Sequence, residues 1–279
     1  MQFIHNKSNI IEIYSNQKKH YKNEVPMKKI IPILLFIFTA AFAQSALAHE
    51  HGKLKGKVVE YTVGGEEYEG YFISPSKDAP LILMIHDWDG LTDYEIKRAH
   101  MLAKQGYAVF AADMFGKGVR PTEVKDKKAQ TGALYKNRPK MRDLFNSALE
   151  VAKENGADIS NAVAMGYCFG GTTVLEMART GLDLKGFVSF HGGLKTPEGQ
   201  DYTKSKGNIL VFHGSADTAV SLDDFINLTK ELETAGVNNE MITYSDAPHA
   251  FTVFGSERYQ QAADERSWER FGDYLKKTL

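Results

Sequence analysis

Ala162-Val163-Ala164-Met165-Gly166-Tyr167-Cys168-Phe169-Gly170-Gly171 is the stretch that decides the fold of this chain. Its four leading apolar residues read as a buried strand, Gly166 to Gly171 as a sharp turn, and Thr172 to Thr180 as the helix that leaves the turn. Cys168, the single cysteine of the chain, stands at the centre of a G-x-C-x-G pattern. Glycines two positions to either side permit a bend that side chains would block, and the bend pushes the central residue into the open. The helix N-terminus that follows offers free N–H groups and the positive end of a dipole, which favours thiolate over thiol. Cys168 is therefore a candidate nucleophile, and the plain alternative is a small buried hydrophobe.

Outward from the turn, strands and helices alternate. Lys57 to Val63 and Glu67 to Ser74 flank Gly64-Gly65, a two-residue hairpin that makes an antiparallel edge. Leu81 to His86 follows Pro80 as an apolar run of the kind buried on both faces of a sheet. Asp93 to Lys104 reads as a helix, Tyr107 to Ala111 as a strand and Lys140 to Lys153 as a helix. Ala162 to Met165 leads into the turn, and Gly186 to Phe190 and Asn208 to His213 are further strands. Leu222 to Ala235 is amphipathic, Glu240 to Tyr244 is the last strand, and Glu257 to Leu279 is the closing helix. Strands separated by helices of this length give a mostly parallel α/β sheet with right-handed crossovers and helices on both faces. Ligands of such sheets bind beyond the carboxyl ends of the strands.

With 43% hydrophobic and 25% charged residues, 279 residues and a net charge of −1, the chain reads as an ordinary globular protein. Balanced charge without a basic tail or repeat excludes recruitment to nucleic acid. Ile30 to Phe42 is the most apolar stretch; Lys28 and Lys29 precede it and Ala46-Leu47-Ala48 follows. Together they read as a secretory signal peptide cut after Ala48, with Met27 as a candidate translation start. Residues 1–48 are thus set apart, and 49–279 form one domain that is secreted or periplasmic, monomeric and without stable membrane insertion. An exported chain with one cysteine has no internal disulfide to make, so the thiol is either buried or used.

A thiol nucleophile needs a base and a group that fixes the base's tautomer. Asp217, in His213-Gly214-Ser215-Ala216-Asp217, and His249, in Ala247-Pro248-His249-Ala250-Phe251, follow Cys168 in the order nucleophile, acid, histidine. Each sits in a loop after a strand. The N–H of Phe169, next to the nucleophile, is the expected oxyanion donor. His86, His191 and His213 also end strands, but without an H-x-x-H spacing they read as structural, and neither metal nor cofactor is expected.

These motifs, with Ala262-Ala263 to Arg266-Ser267-Trp268 and Arg270-Phe271, resemble the dienelactone hydrolase family of the α/β-hydrolase superfamily over most of residues 55–279. The resemblance implies the α/β-hydrolase fold and a cysteine hydrolase of esters or lactones with a Cys–Asp–His triad and an acyl-enzyme. It also implies a second oxyanion donor at the N–H of Trp88. A carboxylate that modulates the cysteine falls at Asp87 in Ile85-His86-Asp87-Trp88-Asp89-Gly90, where the family usually has glutamate. Family members that act on chlorocatechol products carry an arginine two residues past the phenylalanine of the histidine loop; here Thr252 and Val253 follow Phe251. Trp88 and Phe115 are candidate pocket walls. The Gly116 to Lys140 insert is a candidate lid, and Arg120 within it a candidate anchoring charge for a small-molecule substrate. An acyl transferase, a thiol-reactive protein and a non-catalytic binding protein on the same fold stay open as alternatives.

Overall fold

The computed structural model describes residues 54–279; the expected signal peptide and its expected cleavage after Ala48 lie outside the described residues. Eight strands form one sheet in the order β1-β2-β4-β3-β5-β6-β7-β8. β1 (Lys57–Val63) and β2 (Glu66–Ile73) are the antiparallel edge. Gly64 and Gly65, with φ of 60° and 85°, make the tight turn between them in a region that favours glycine. β2 also runs antiparallel to β4 (Ala108–Ala112). The other neighbours are parallel: β3 (Pro80–Ile85), β5 (Asp158–Tyr167), β6 (Gly186–Phe190), β7 (Asn208–Gly214) and β8 (Asn239–Tyr244).

Both faces are covered, as an all-apolar central strand requires. Leu81, Leu83 and Ile85 of β3 face one core with Phe110 and residues of α3 (Arg138–Glu154), α4 (Phe169–Arg179) and α5 (Leu222–Ala235). Ile82 and Met84 face the other core, with Leu102 of α1 (Asp93–Ala103) and Phe271 and Leu275 of α6 (Gln261–Thr278). Alternation at period two thus divides one strand between two hydrophobic layers.

Three differences from the sequence expectation have physical causes. A helix over Val124–Lys136 (α2) fills the Gly116 to Lys140 insert; only Thr131 and Leu134 are buried on it, so it carries no apolar stripe to read. α3 begins at Arg138 because Asn137 accepts a hydrogen bond from the Lys140 N–H and Pro139 occupies the first turn. The closing helix starts at Gln261, not Glu257. The Tyr259 N–H bonds to the Ser256 carbonyl and that of Gln260 to the Phe251 carbonyl, so this stretch is tied to the histidine loop.

Candidate active site

The turn after β5 has the geometry its glycines permit. Cys168 has φ 49° and ψ −107°, a strained conformation for a residue with a Cβ. A Cβ on Gly166 would stand 2.2 Å from the Gly170 carbonyl carbon, and one on Gly170 would stand 2.2 Å from the Ile85 carbonyl oxygen. Strand β3, strand β5 and helix α4 therefore meet at a distance that only glycine allows. The Cys168 N–H donates to the Phe190 carbonyl at 2.9 Å, which fixes the bend against β6.

Loops from β7 and β8 bring their side chains to the half-buried sulfur. The Nε2 of His249 lies 3.1 Å from the Cys168 Sγ, and its Nδ1 lies 2.8 Å from the Asp217 Oδ2. A carboxylate only accepts, so Nδ1 carries the proton and Nε2 is the acceptor facing the thiol. The other Asp217 oxygen accepts the N–H groups of Ala219 and Val220, both at 2.8 Å. Burial works against its charge, yet His249 and these N–H groups hold the Asp217 carboxyl below the usual range.

The surroundings of the thiol oppose its ionisation. Burial pushes the thiol up, Asp87 and Asp217 add to the effect, and the Phe169 N–H opposes it. Desolvation thus works against the thiolate that a helix N-terminus favours. Asp87 is buried in the loop after β3, where its Oδ1 accepts the Asp89 N–H at 3.1 Å. Burial, then Asp89 and Glu95, hold its own carboxyl well above the usual range. Among the described residues no hydrogen bond joins Asp87 to the sulfur, which is turned to His249. No acceptor takes the Trp88 N–H among them either.

The three structural histidines differ. His86 is pinned between the Asp87 carbonyl at 2.6 Å and the Met114 N–H at 3.1 Å, which its Nε2 accepts. His191 packs edge-on to His249, ring centres 5.4 Å apart, and its Nε2 meets the Thr252 hydroxyl at 2.8 Å. Burial and the neighbouring His249 hold His191 well below the usual imidazole range, so it is neutral. His213 is buried against Phe225 with neither ring nitrogen bonded.

Thr252 ties the histidine loop to the helices in a way that sequence reasoning missed. Its hydroxyl is 2.7 Å from that of Tyr94, and its carbonyl accepts from Arg98 at 2.9 Å. Arg98 is buried, paired with Asp264 and stacked 4.1 Å from the centre of Phe254 and 4.6 Å from that of Trp268. The partners are 154 and more residues apart in sequence, and no local pattern signals the contact.

A cavity of about 400 Å³ opens over the sulfur. Trp88, Phe169, Tyr135 and Val220 wall it, and α2 supplies the roof through Thr131 and Tyr135. Lys128 and Arg258, neither singled out from sequence, stand on its exposed rim. The roof is fastened near the expected oxyanion loop: Lys127 pairs with Asp89 at 3.5 Å and stands 5.2 Å from the centre of the Trp88 ring. Two other candidates are not brought to the cavity. Phe115 packs behind it, between His86 and Phe169. Arg120 is turned to the β2 side, paired with Glu69 at 3.1 Å and bonded to the Leu91 carbonyl, so its charge is spent on the scaffold.

Known proteins resemble this chain in sequence and in fold. The model of the dienelactone hydrolase family matches residues 68–279. A protein of Escherichia coli strain K12 named "Putative carboxymethylenebutenolidase" is 22% identical over 225 residues, covering 76% of this chain and 83% of its own. Protein usf of Aquifex pyrophilus is 28% identical over 202 residues, or 70% of this chain and 87% of its own. The crystal structure of the dienelactone hydrolase-like promiscuous phosphotriesterase P91, from metagenomic libraries, superimposes with a TM-score of 0.75 at 29% identity; the match covers 81% of this chain and 98% of P91. This chain belongs to the dienelactone hydrolase family and is an enzyme that hydrolyses ester bonds on the α/β-hydrolase fold.

Proposed function

We propose that the protein is an exported cysteine hydrolase of carboxylic esters or lactones, acting through Cys168, His249 and Asp217. The observation that carries this reading is the unbroken line from the Asp217 carboxylate to the His249 ring at 2.8 Å and on to the Cys168 sulfur at 3.1 Å. The Cys168 thiol proton moves to His249 Nε2 as the sulfur attacks the ester carbonyl carbon. The new carbon–sulfur bond places negative charge on the carbonyl oxygen, which the N–H groups of Trp88 and Phe169 receive. Collapse breaks the carbon–oxygen bond, and the departing oxygen takes the proton from His249. Water then gives His249 a proton, attacks the thioester and releases the acid, and the thiol regains its proton.

Asp217 keeps the ring in the acceptor tautomer and stabilises the imidazolium. Asp87 modulates the sulfur through its charge state: ionised it resists thiolate, and protonated it does not. Trp88 and Phe169 also serve as apolar walls. The signal pattern that ends at Ala48 supports export, and amino-terminal sequencing of protein recovered from culture tests it. A first residue other than His49 rejects that cleavage point.

Hydrolysis of p-nitrophenyl acetate and a panel of small lactones, beside Cys168→Ala and with iodoacetamide labelling, tests the chemistry. The variant should lose at least about a thousandfold in kcat/KM, and single-site alkylation should abolish turnover. Full activity in Cys168→Ala rejects the reading.

A further inference from the structure

The cavity above the sulfur has a neighbour. A second hollow of about 340 Å³ opens beside it on the side of β6 and β7. Tyr135, Gly193, Ala219 and Val220 wall both, so the two are lobes of one cleft with these four residues at its waist. Two of the four are small. A Cβ on Gly193 would stand 2.9 Å from the Thr172 Oγ1, and Ala219 adds one methyl group.

Polar atoms at the waist bond to one another. The Gly193 N–H donates to Thr172 Oγ1 at 2.9 Å, and that hydroxyl donates to the Cys168 carbonyl at 3.3 Å. The Tyr135 hydroxyl reaches Thr172 Oγ1 at 3.5 Å. Rings and methyl groups are left to meet a ligand. Beyond the waist lies Leu194, and at the outer mouth Lys195 and Asp224 stand 3.8 Å apart with opposite charges. Arg138, which also lines the lobe, is bonded to Glu176 at 2.7 Å, so each cation of the far lobe is held by a carboxylate.

We infer that the substrate is an ester with an uncharged, apolar arm of several carbons or one aryl ring, which runs from the sulfur through the waist toward Leu194. The inference rests on the Cys168 reading and narrows its substrate class from any small ester or lactone to an extended one. Each methylene drawn into the far lobe should raise kcat/KM by about twofold to fourfold until the lobe is full.

The test is a length series on the intact protein. One set of p-nitrophenyl esters lengthens the acyl chain from acetate to octanoate, and one set of acetates lengthens the alcohol. One of the two sets should rise steeply through the hexyl member. Ala219→Trp, which fills the waist, should lower the hexyl-to-short ratio of kcat/KM at least tenfold, however far each value falls. Turnover that is flat along both sets, or an unchanged ratio in a folded Ala219→Trp, overturns the inference and leaves the triad standing. Absence of turnover on every ester removes the Cys168 reading and this inference with it.

Discussion

Helices α4 and α2 face each other across the cavity above Cys168 and are held by different means. All eleven residues of α4 are buried, its first turn is locked against β3 by backbone contact, and it carries Cys168, the proposed nucleophile, at its N-terminus. α2 buries only Thr131 and Leu134 and is fastened by polar contacts at its ends. Lys127 holds one end, to Asp89 and Trp88; just past the other, Arg138 bonds to Glu176 at 2.7 Å. The chemistry is thus built into the core, and the surface that meets the substrate is laid over it. A scaffold of this kind can change its cavity wall without disturbing Cys168, Asp217 and His249.

The contrast can be broken most directly by adding one methyl group to each helix. Gly170→Ala places a Cβ 2.2 Å from the Ile85 carbonyl oxygen, backbone against backbone, and should destabilise the protein by more than about 3 kcal/mol in a denaturant titration. A loss under about 1 kcal/mol would mean that the elbow yields.

A second test reads the scaffold through pH. Glu95 is buried with one oxygen unbonded among the described residues, and burial pushes its carboxyl up to about 7. Between its ordinary value and 7 the native state binds more protons than the unfolded chain, so stability from this group is full at acid pH and declines as pH rises. Replacing Glu95 with Gln should remove a decline of about 1 to 3 kcal/mol between pH 4.5 and 7. A variant whose stability still falls in parallel with the parent would place the titration elsewhere.

The roof should answer to salt and to charge. Lys127→Met removes the fastening beside Trp88 and should lower kcat about threefold to tenfold with little change in KM, and Lys127→Arg should restore most of it. Loss of KM alone would assign Lys127 to substrate binding. The mildest test is Gly132→Ala on α2, where nothing lies within 4 Å of the new methyl group. It should stabilise the protein by about 0.5 to 1 kcal/mol, the opposite sign to Gly170→Ala. Destabilisation would show that the roof is packed as tightly as the elbow.

The same difference explains what could be read from sequence. β6, α5 and the hairpin follow from apolar periodicity and two glycines, and Cys168, Asp217 and His249 lie at strand ends where the sheet directs its loops. Those signals are local, and burial writes them. α2 was not legible because it buries only two residues and so has no apolar stripe, and Lys, Asp and Gln fill six of its thirteen positions. Arg258 and Lys128 are ordinary surface cations until the fold brings them to the cavity rim. Arg120 shows the reverse, an arginine in the right insert whose partners on the sheet edge keep it from the site. Thr252 could not be read either, since its worth lies in contacts with Tyr94, Arg98 and His191 that only folding makes.

Capture of the covalent intermediate tests the nucleophile most directly. Protein mixed with p-nitrophenyl acetate and quenched in acid within the first turnover should gain the mass of one acetyl group, and peptide mapping should place it on Cys168. Steady turnover without any acyl group on Cys168, or a group carried by another residue, would contradict the account.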